Sequence, residues 1–215
     1  MARQVMSSKL VNSICCERGD RLKIQLTGDS IIARHEGLVE PMINCLLKNK
    51  FPDLIIYNTA VAGNNTCDLL RRLDSDVLSV RNVDKIFVLI GINDAARNKQ
   101  VSLDRYTQNL EKIINQLLKR YCQRQIYFMT PPAVDERKQR YRDNQLIAMY
   151  VNKLEWVVKQ NHCHFLNLFE ALSHHPNFPK IMQGSLNDGL HFGEGGYQVL
   201  AKLISQCLVG SKGIN

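Results

Sequence analysis

Short apolar runs recur along the chain and predict five strands. They cover residues 22–27, 53–59, 85–90, 125–130 and 163–168. The runs are rich in β-branched and aromatic residues and do not alternate strictly between apolar and polar positions. This pattern is typical of strands that are buried on both faces, as in a parallel sheet covered by helices.

Longer segments between these runs repeat apolar residues at helical spacing. In residues 102–121 one stripe contains Leu103, Tyr106, Leu110, Ile113, Ile114, Leu117, Leu118 and Tyr121, and Ser102 precedes it as a candidate N-cap. Residues 146–158 and 197–208 show the same spacing. Further helix candidates, with weaker patterns, lie at residues 3–17, 38–50 and 67–80.

The alternation of strands and helices predicts an α/β fold. Parallel strands joined by right-handed helical crossovers form a sheet between two helical layers, so we expect a three-layer α/β/α sandwich with a five-stranded parallel sheet. By analogy with flavodoxin-like proteins, the expected strand order is 2-1-3-4-5. No linker or internal repeat divides residues 21–210, which we interpret as a single domain. Residues 1–20 form an N-terminal extension and include the helix candidate at 3–17.

The charge balance adds one question about partners. The 215 residues include 28 Lys and Arg against 20 Asp and Glu, a formal net charge of +8. An anionic partner would fit this excess, yet the basic residues are scattered and show no arginine-rich arm, so we predict no nucleic-acid binding. The densest group, Arg137, Lys138, Arg140 and Arg142, follows the fourth predicted strand. A solvated loop is the favoured interpretation, and an anionic substrate group is the alternative.

Cysteine usage and hydropathy indicate a reducing compartment. The 7 cysteines are odd in number and contain no C-x-x-C pair, which favours reduced thiols over a disulfide framework. Residues 1–20 contain no apolar signal-peptide core, and no segment approaches the ~20 apolar residues of a membrane span. We therefore expect a cytoplasmic protein with no membrane span.

Two other residue clusters do not support cofactor chemistry. His162-Cys163-His164 and His174-His175 lack the ligand spacing of zinc sites. The glycine-rich segment 193–196 does not follow a predicted strand and lacks the G-x-G-x-x-G pattern of dinucleotide-binding loops. The sequence therefore predicts neither a metal nor an organic cofactor.

Hydrogen-bonding residues follow the first three predicted strands. Gly28-Asp29-Ser30 comes after the first strand, 62–66 after the second, and Gly91-Ile92-Asn93-Asp94 after the third. Because ligands of parallel α/β sheets bind beyond the carboxyl ends of the strands, these segments are expected to meet at one site. Each of them alone is also an ordinary turn or helix cap, with Asn65 or Thr66 as the candidate cap in the second.

A carboxylate and an imidazole lie close together near the last predicted helix. Asp188 and His191 are three residues apart, so that the carboxylate can hold the imidazole Nδ1–H within one turn of chain. Nε2 is then left as a base that can face a serine. An exposed Ser30 together with this pair would complete the groups that nucleophilic acyl transfer needs.

Four segments together resemble the SGNH/GDSL hydrolases, a family of esterases and acylhydrolases. Gly28-Asp29-Ser30-Ile31 resembles the first block of that family, Gly63 the glycine of the second, Gly91-Ile92-Asn93-Asp94 the third, and Asp188-Gly189-Leu190-His191 the fifth. The blocks occur in family order over residues 28–192. A G-x-S-x-G elbow, which marks the α/β-hydrolase fold, is absent.

The resemblance implies a role for each matched position. Ser30 would be the nucleophile and His191 its general base, oriented by Asp188. The oxyanion hole would consist of the backbone N–H groups of Ser30 and Gly63 and the side-chain amide of Asn93. Asp29 and Asp94 would hold their loops through local hydrogen bonds. The segment 32–36 departs from the usual residues after the first block, which leaves substrate preference open.

Two functions of different classes follow from these observations. The first is a serine esterase or acylhydrolase that cleaves small carboxylic esters through an acyl-enzyme on Ser30. The second is a non-enzymatic binding module that uses the same fold and a basic face for an anionic partner. The catalytic set formed by Ser30, Asp188 and His191 favours the first function, because a binding module needs none of these residues. The oligomeric state and the acyl and alcohol groups of the substrate are not predicted.

Overall fold

The computed structural model describes residues 21–209. Five strands form its sheet: β1 (Lys23–Gly28), β2 (Ile55–Asn58), β3 (Lys85–Leu89), β4 (Ile126–Met129) and β5 (His164–Leu166). Each falls in one of the predicted apolar runs, and β1 extends one residue beyond its run, to Gly28. The extension 1–20, with the helix candidate at 3–17, lies outside the described residues.

All strand pairs are parallel, and the order is β2-β1-β3-β4-β5. The predicted α/β class and the flavodoxin-like order are therefore confirmed. The central strands β1, β3 and β4 are almost entirely buried, whereas β2 and β5 at the two edges are partly exposed. The buried central strands explain why the apolar runs do not alternate.

Seven α-helices accompany the described sheet: α1 (Ser30–Ala33), α2 (Met42–Lys50), α3 (Thr66–Arg72), α4 (Leu103–Leu117), α5 (Asn144–Gln160), α6 (Leu168–Ser173) and α7 (Glu194–Val209). α4 packs against α3 and α5, and α7 packs against α2 and α6, which gives one set of neighbouring helices for each face of the sheet. No helix within residues 21–209 combines the length and apolar composition needed to cross a bilayer.

Among the helix ends that differ from the predicted ranges, two follow from the local backbone geometry. α2 begins at Met42 rather than near residue 38, because Glu36 and Gly37 adopt positive φ values of 49° and 88° and turn the chain first. α3 ends at Arg72, and the chain continues through one turn of π-helix at Leu73–Val77. Both differences depend on local backbone geometry that apolar spacing does not encode.

The end of β1 approaches β3 so closely that only glycine fits at residue 28. Gly28 has a φ of +149°, and a Cβ atom there would lie 1.9 Å from the carbonyl oxygen of Leu89. The Gly28 carbonyl oxygen in turn accepts a 3.0 Å hydrogen bond from the backbone N–H of Val61, which follows β2. The chain segments after β1, β2 and β3 are thus held together at one end of the sheet.

Candidate active site

Ser30 is the first residue of α1, directly beyond the carboxyl end of β1. Asp29 caps this short helix, and its Oδ1 accepts a 2.9 Å hydrogen bond from the backbone N–H of Ile31. Ser30 is 9% exposed. Because the first N–H groups of a helix have no acceptor within it, the backbone N–H of Ser30 is available to a ligand.

A continuous chain of hydrogen bonds runs from Ser30 to Asp188. The Oγ of Ser30 lies 2.8 Å from Nε2 of His191, and Nδ1 of His191 lies 2.7 Å from Oδ2 of Asp188. His191 comes from the segment before α7, 161 residues after Ser30. The structure therefore brings the three residues of the predicted catalytic set into contact, in the order nucleophile, base and carboxylate.

Asp188 is held in the ionised form by its own turn. Burial alone would raise the pKa of its carboxyl group, but the backbone N–H groups of His191 and Leu190 donate hydrogen bonds of 2.9 and 3.0 Å to Oδ1. Together with the imidazole of His191 they hold the pKa of Asp188 below its usual value. Because an ionised carboxylate can only accept, its contact with Nδ1 favours the imidazole tautomer that carries its proton there, in which Nε2 is the acceptor that faces Ser30.

Asn93 connects the loop after β3 with the loop that contains Gly63. The Nδ2 of Asn93 donates a 2.9 Å hydrogen bond to the carbonyl oxygen of Asn64, and Asn93 is only 5% exposed. Gly63 adopts a φ of +81° in the exposed turn directly before Asn64. Asn65 then caps α3 by accepting from the backbone N–H groups of Cys67 and Asp68. The two segments predicted to share a site are thus neighbours.

Two buried carboxyl groups support the loops. Burial raises the pKa of Asp29 to about 7 and that of Asp94 to about 6. The Asp29 bond to Ile31 is local, as expected, whereas Asp94 accepts hydrogen bonds from the backbone N–H and the hydroxyl of Thr66, 28 residues earlier. Asp94 therefore joins the second and third loops and stabilises the position of Asn93 beside Asn64.

The basic loop after β4 is not a uniform charged face. Arg137 forms an ion pair with Asp135, with 2.8 Å between Nε and Oδ1, and Arg140 lies over the ring of Tyr141 at 5.5 Å from its centroid. Lys138 donates to the side chain of Asn187. Arg142 alone turns inward, to the backbone and side chain of the Asn93 loop. Sequence reasoning missed this inward position because the four charges look alike along the chain.

The remaining candidate clusters lie outside this site. The imidazole of His164 stacks on the ring of Tyr127 at 4.3 Å between centroids. His175 lines a surface depression of about 590 Å³ beside α6 and α7, and none of Ser30, Asp188 and His191 contributes to it. Within residues 21–209, no three His, Cys, Asp or Glu side chains are grouped closely enough to hold a metal ion.

Taken together, the residues at this end of the sheet meet the requirements of acyl transfer. A serine hydroxyl contacts an imidazole nitrogen, the imidazole is held by an ionised carboxylate, and the backbone N–H of Ser30 and the side-chain amide of Asn93 belong to the adjoining loops. Such donors can stabilise negative charge that develops on a carbonyl oxygen. The arrangement is thus suited to nucleophilic attack on a carbonyl carbon.

Comparison with known proteins gives the same class of chemistry. Residues 26–199 match the GDSL-like Lipase/Acylhydrolase family. A GDSL esterase/lipase from Arabidopsis thaliana is 27% identical in an alignment 214 positions long, gaps included, that covers 87% of this chain and 86% of the relative.

Solved structures share the whole fold. The lipase/acylhydrolase from Enterococcus faecalis superposes with a TM-score of 0.78 at 26% identity, over 88% of this chain and 96% of that one. A catalytic mutant of an acetylxylan esterase from Geobacillus stearothermophilus gives a TM-score of 0.70 at 21% identity, over 89% and 95%. The second likeness shows the fold alone.

Proposed function

Because the chain belongs to the GDSL-like lipase/acylhydrolase family and is an ester hydrolase, we propose that it cleaves small carboxylic esters through an acyl-enzyme on Ser30. The observation that carries the proposal is the continuous hydrogen-bond chain from the Oγ of Ser30 through His191 to Asp188. In this chain the proton of the Ser30 hydroxyl already has its acceptor, Nε2 of His191, in contact.

In the first half-reaction the Oγ of Ser30 attacks the ester carbonyl carbon while Nε2 of His191 takes the hydroxyl proton. The carbonyl oxygen becomes an oxyanion, bound by the backbone N–H groups of Ser30 and Gly63 and by Nδ2 of Asn93. Collapse of this intermediate breaks the ester C–O bond, and the imidazolium gives its proton to the leaving alcohol. Asp188 stabilises the imidazolium without taking its proton.

In the second half-reaction water replaces the alcohol. His191 takes a proton from the water, the hydroxide attacks the acyl carbon, and the same donors bind the second oxyanion. Breakage of the bond to Ser30 releases the carboxylic acid, and His191 returns the proton to the Oγ. The enzyme ends in its starting state, and no cofactor takes part in this balance.

The test combines labelling with turnover. Wild-type protein is incubated with a fluorophosphonate probe, the adduct is located by peptide mass spectrometry, and hydrolysis of p-nitrophenyl acetate is measured in parallel. Ser30→Ala and His191→Ala are the site variants, and Ser75→Ala, an exposed serine after α3, is the matched control. We expect an adduct on Ser30 that is absent in Ser30→Ala, much slower in His191→Ala and unchanged in Ser75→Ala.

The opposite outcome is equally informative. A folded wild-type protein that forms no adduct and hydrolyses no ester faster than Ser30→Ala would refute the acyl-enzyme mechanism. An adduct on a different serine would move the nucleophile away from this site.

A further inference from the structure

Arg142 contacts the oxygen of the Asn93 amide, whose nitrogen contacts Asn64. Its Nε donates a 2.9 Å hydrogen bond to the carbonyl oxygen of Ile92, and its Nη2 donates a 3.0 Å hydrogen bond to Oδ1 of Asn93. The planar guanidinium thus donates to two successive residues, Ile92 and Asn93. The single ammonium group of a lysine cannot form this pair of hydrogen bonds with the same geometry. Arg142 is half-buried, in contrast to the exposed Arg140 in the same loop.

These contacts fix which way the Asn93 amide faces. The Oδ1 atom accepts from Arg142, and one N–H of Nδ2 donates to the carbonyl oxygen of Asn64. A flipped amide would put Nδ2 against the guanidinium donors and Oδ1 against the Asn64 carbonyl oxygen, so both contacts would become repulsive. With the amide held in this orientation, the second N–H of Nδ2 is left for an acceptor at the active site.

Arg142 also connects this amide to the turn that holds His191. Its Nη1 lies 3.3 Å from Oε1 of Gln139, and Nε2 of Gln139 donates to the carbonyl oxygen of Asp188. One short segment after β4 therefore contacts both the Asn93 loop and the Asp188 turn. Burial lowers the pKa of the Arg142 guanidinium, which the nearby Asp29 and Asp188 carboxylates oppose, and an arginine remains charged throughout.

We propose that Arg142 is a positioning residue that sets the orientation of the Asn93 amide, so that its free N–H points to the oxyanion. The inference rests on the proposed esterase mechanism and adds a residue to it. Arg142 does not touch the reacting atoms and acts through Asn93. Its loss therefore lowers the turnover number and leaves the binding of a neutral ester nearly unchanged, since the oxyanion forms only in the transition state.

The primary measurement compares kcat and KM for p-nitrophenyl acetate in three single variants. Arg142→Ala removes the contacts to Ile92, Asn93 and Gln139, Arg142→Lys keeps the charge but not the planar guanidinium, and Arg140→Gln is the matched control from the same loop. We expect Arg142→Ala to lower kcat by about 10-fold or more, because loss of an oxyanion donor typically lowers turnover by ~10²–10³ and Asn64 still favours the correct orientation. The kcat of Arg142→Lys is expected to fall between those of Arg142→Ala and wild type, and the kcat of Arg140→Gln is expected to match that of wild type.

A double-mutant cycle identifies the residue through which Arg142 acts. In the Asn93→Ala background there is no amide left to orient, so adding Arg142→Ala is expected to lower kcat by less than about twofold. As a further readout, millimolar guanidinium chloride is expected to restore part of the turnover of Arg142→Ala and none of that of Asn93→Ala. A purely structural role for Arg142 would produce neither result.

Each contrary result has a distinct meaning. Equal losses of kcat from Arg142→Ala in the wild-type and Asn93→Ala backgrounds would overturn the proposal, as would a rise in KM with kcat unchanged. If Arg142→Ala does not fold, as judged by urea denaturation, Arg142→Lys in the wild-type and Asn93→Ala backgrounds provides the same comparison. An inactive and unlabelled wild-type protein would refute the proposed function itself, and this inference with it.

Discussion

The hydroxyl of Tyr197 in α7 donates a 2.9 Å hydrogen bond to the carbonyl oxygen of Ile31, the residue after Ser30. Both residues are fully buried. This hydrogen bond connects α7, the helix that follows His191, to the turn that contains Ser30. The positions of these two parts of the candidate site therefore depend on the same contact.

Tyr197→Phe is therefore expected to affect both stability and turnover. The change leaves the buried carbonyl oxygen of Ile31 without this donor, which should lower the free energy of unfolding by roughly 1–3 kcal/mol. Because α1 and α7 lose their common anchor, kcat for a small ester should also fall. Urea denaturation and steady-state kinetics give the two values.

Tyr121→Phe is the control for this prediction. The Tyr121 hydroxyl donates a 3.1 Å hydrogen bond to the buried Gln25, away from the carboxyl ends of the strands. A comparable loss of stability with unchanged kcat is expected there. Equal kinetic effects from the two variants would show that the Tyr197 bond has no special relation to the site.

Asp188→Asn tests how the imidazole is held. The amide oxygen of an asparagine would accept the backbone N–H groups of Leu190 and His191, so its NH₂ group would face Nδ1 of His191. Nδ1 must then accept a hydrogen bond from this NH₂ group, and the ring proton moves to Nε2. A protonated Nε2 cannot take the proton of Ser30. We expect kcat to fall by about 10³–10⁴-fold with little change in fold, as judged by circular dichroism. Turnover within tenfold of wild type would contradict this account.

Two adjacent glycines in the first turn of α7 provide a matched pair. A Cβ atom on Gly196 would lie 2.5 Å from the Cβ of Phe192, the buried residue after His191, whereas one on Gly195 would lie 3.3 Å from the Cγ2 of Ile181. Gly196→Ala must displace Phe192 and is expected to lower stability by about 1–3 kcal/mol and kcat by about 10-fold or more. Gly195→Ala should keep wild-type kcat. Similar kinetics for both variants would rule out the coupling through Phe192.

Asp29→Asn is expected to change the pH dependence of stability. The carboxyl group is protonated up to about pH 7 in the folded protein but ionises near 3.8 when unfolded. The folded state thus binds more protons between these values, so the contribution of Asp29 to stability decreases as pH rises from about 4 to about 7 and stays constant above. An asparagine does not ionise and so avoids this loss of stability, while its side-chain oxygen can still accept the hydrogen bond from the backbone N–H of Ile31.

Urea denaturation at pH 5 and at pH 8.5 measures this difference. Asp29→Asn should gain stability relative to wild type between the two pH values, with roughly 3 kcal/mol as the upper limit, because about two units of the pKa shift lie above pH 5. Asp94, Arg142 and Lys99 also act on Asp29 and are the same in both proteins. The exposed Asp53→Asn is the control and should show no such gain. The same difference in the free energy of unfolding between Asp29→Asn and wild type at both pH values would contradict the prediction.

The meeting of the loops that follow β1, β2 and β3 was predictable from the topology, whereas the strand order was expected by analogy with flavodoxin-like proteins. Apolar runs mark the strands, and parallel topology brings every strand's carboxyl end to the same edge, so residues directly after the runs meet. Asp188 and His191 are close in sequence as well, and their contact needs only one turn of chain.

Other parts of the site were not predictable because they depend on contacts between distant residues. Arg142 looks like its basic neighbours in the sequence, and only the packed loop turns it towards Asn93. Asp94 bonds to Thr66 across two loops, and the π-helical turn at Leu73–Val77 depends on backbone geometry. Charge and apolar spacing predict which face of an element a residue occupies, but they do not predict its hydrogen-bond partner in a distant segment.

The separation of Ser30 and His191 along the chain also bears on biosynthesis. The serine is made early, and the base that would activate it is made 161 residues later. On the proposed mechanism, a nascent chain that has folded only β1 to β4 holds a serine hydroxyl without its general base. Reactivity towards a fluorophosphonate would then report on the arrival of the segment that contains His191, so the onset of labelling during translation marks the moment at which the two ends of the candidate site meet.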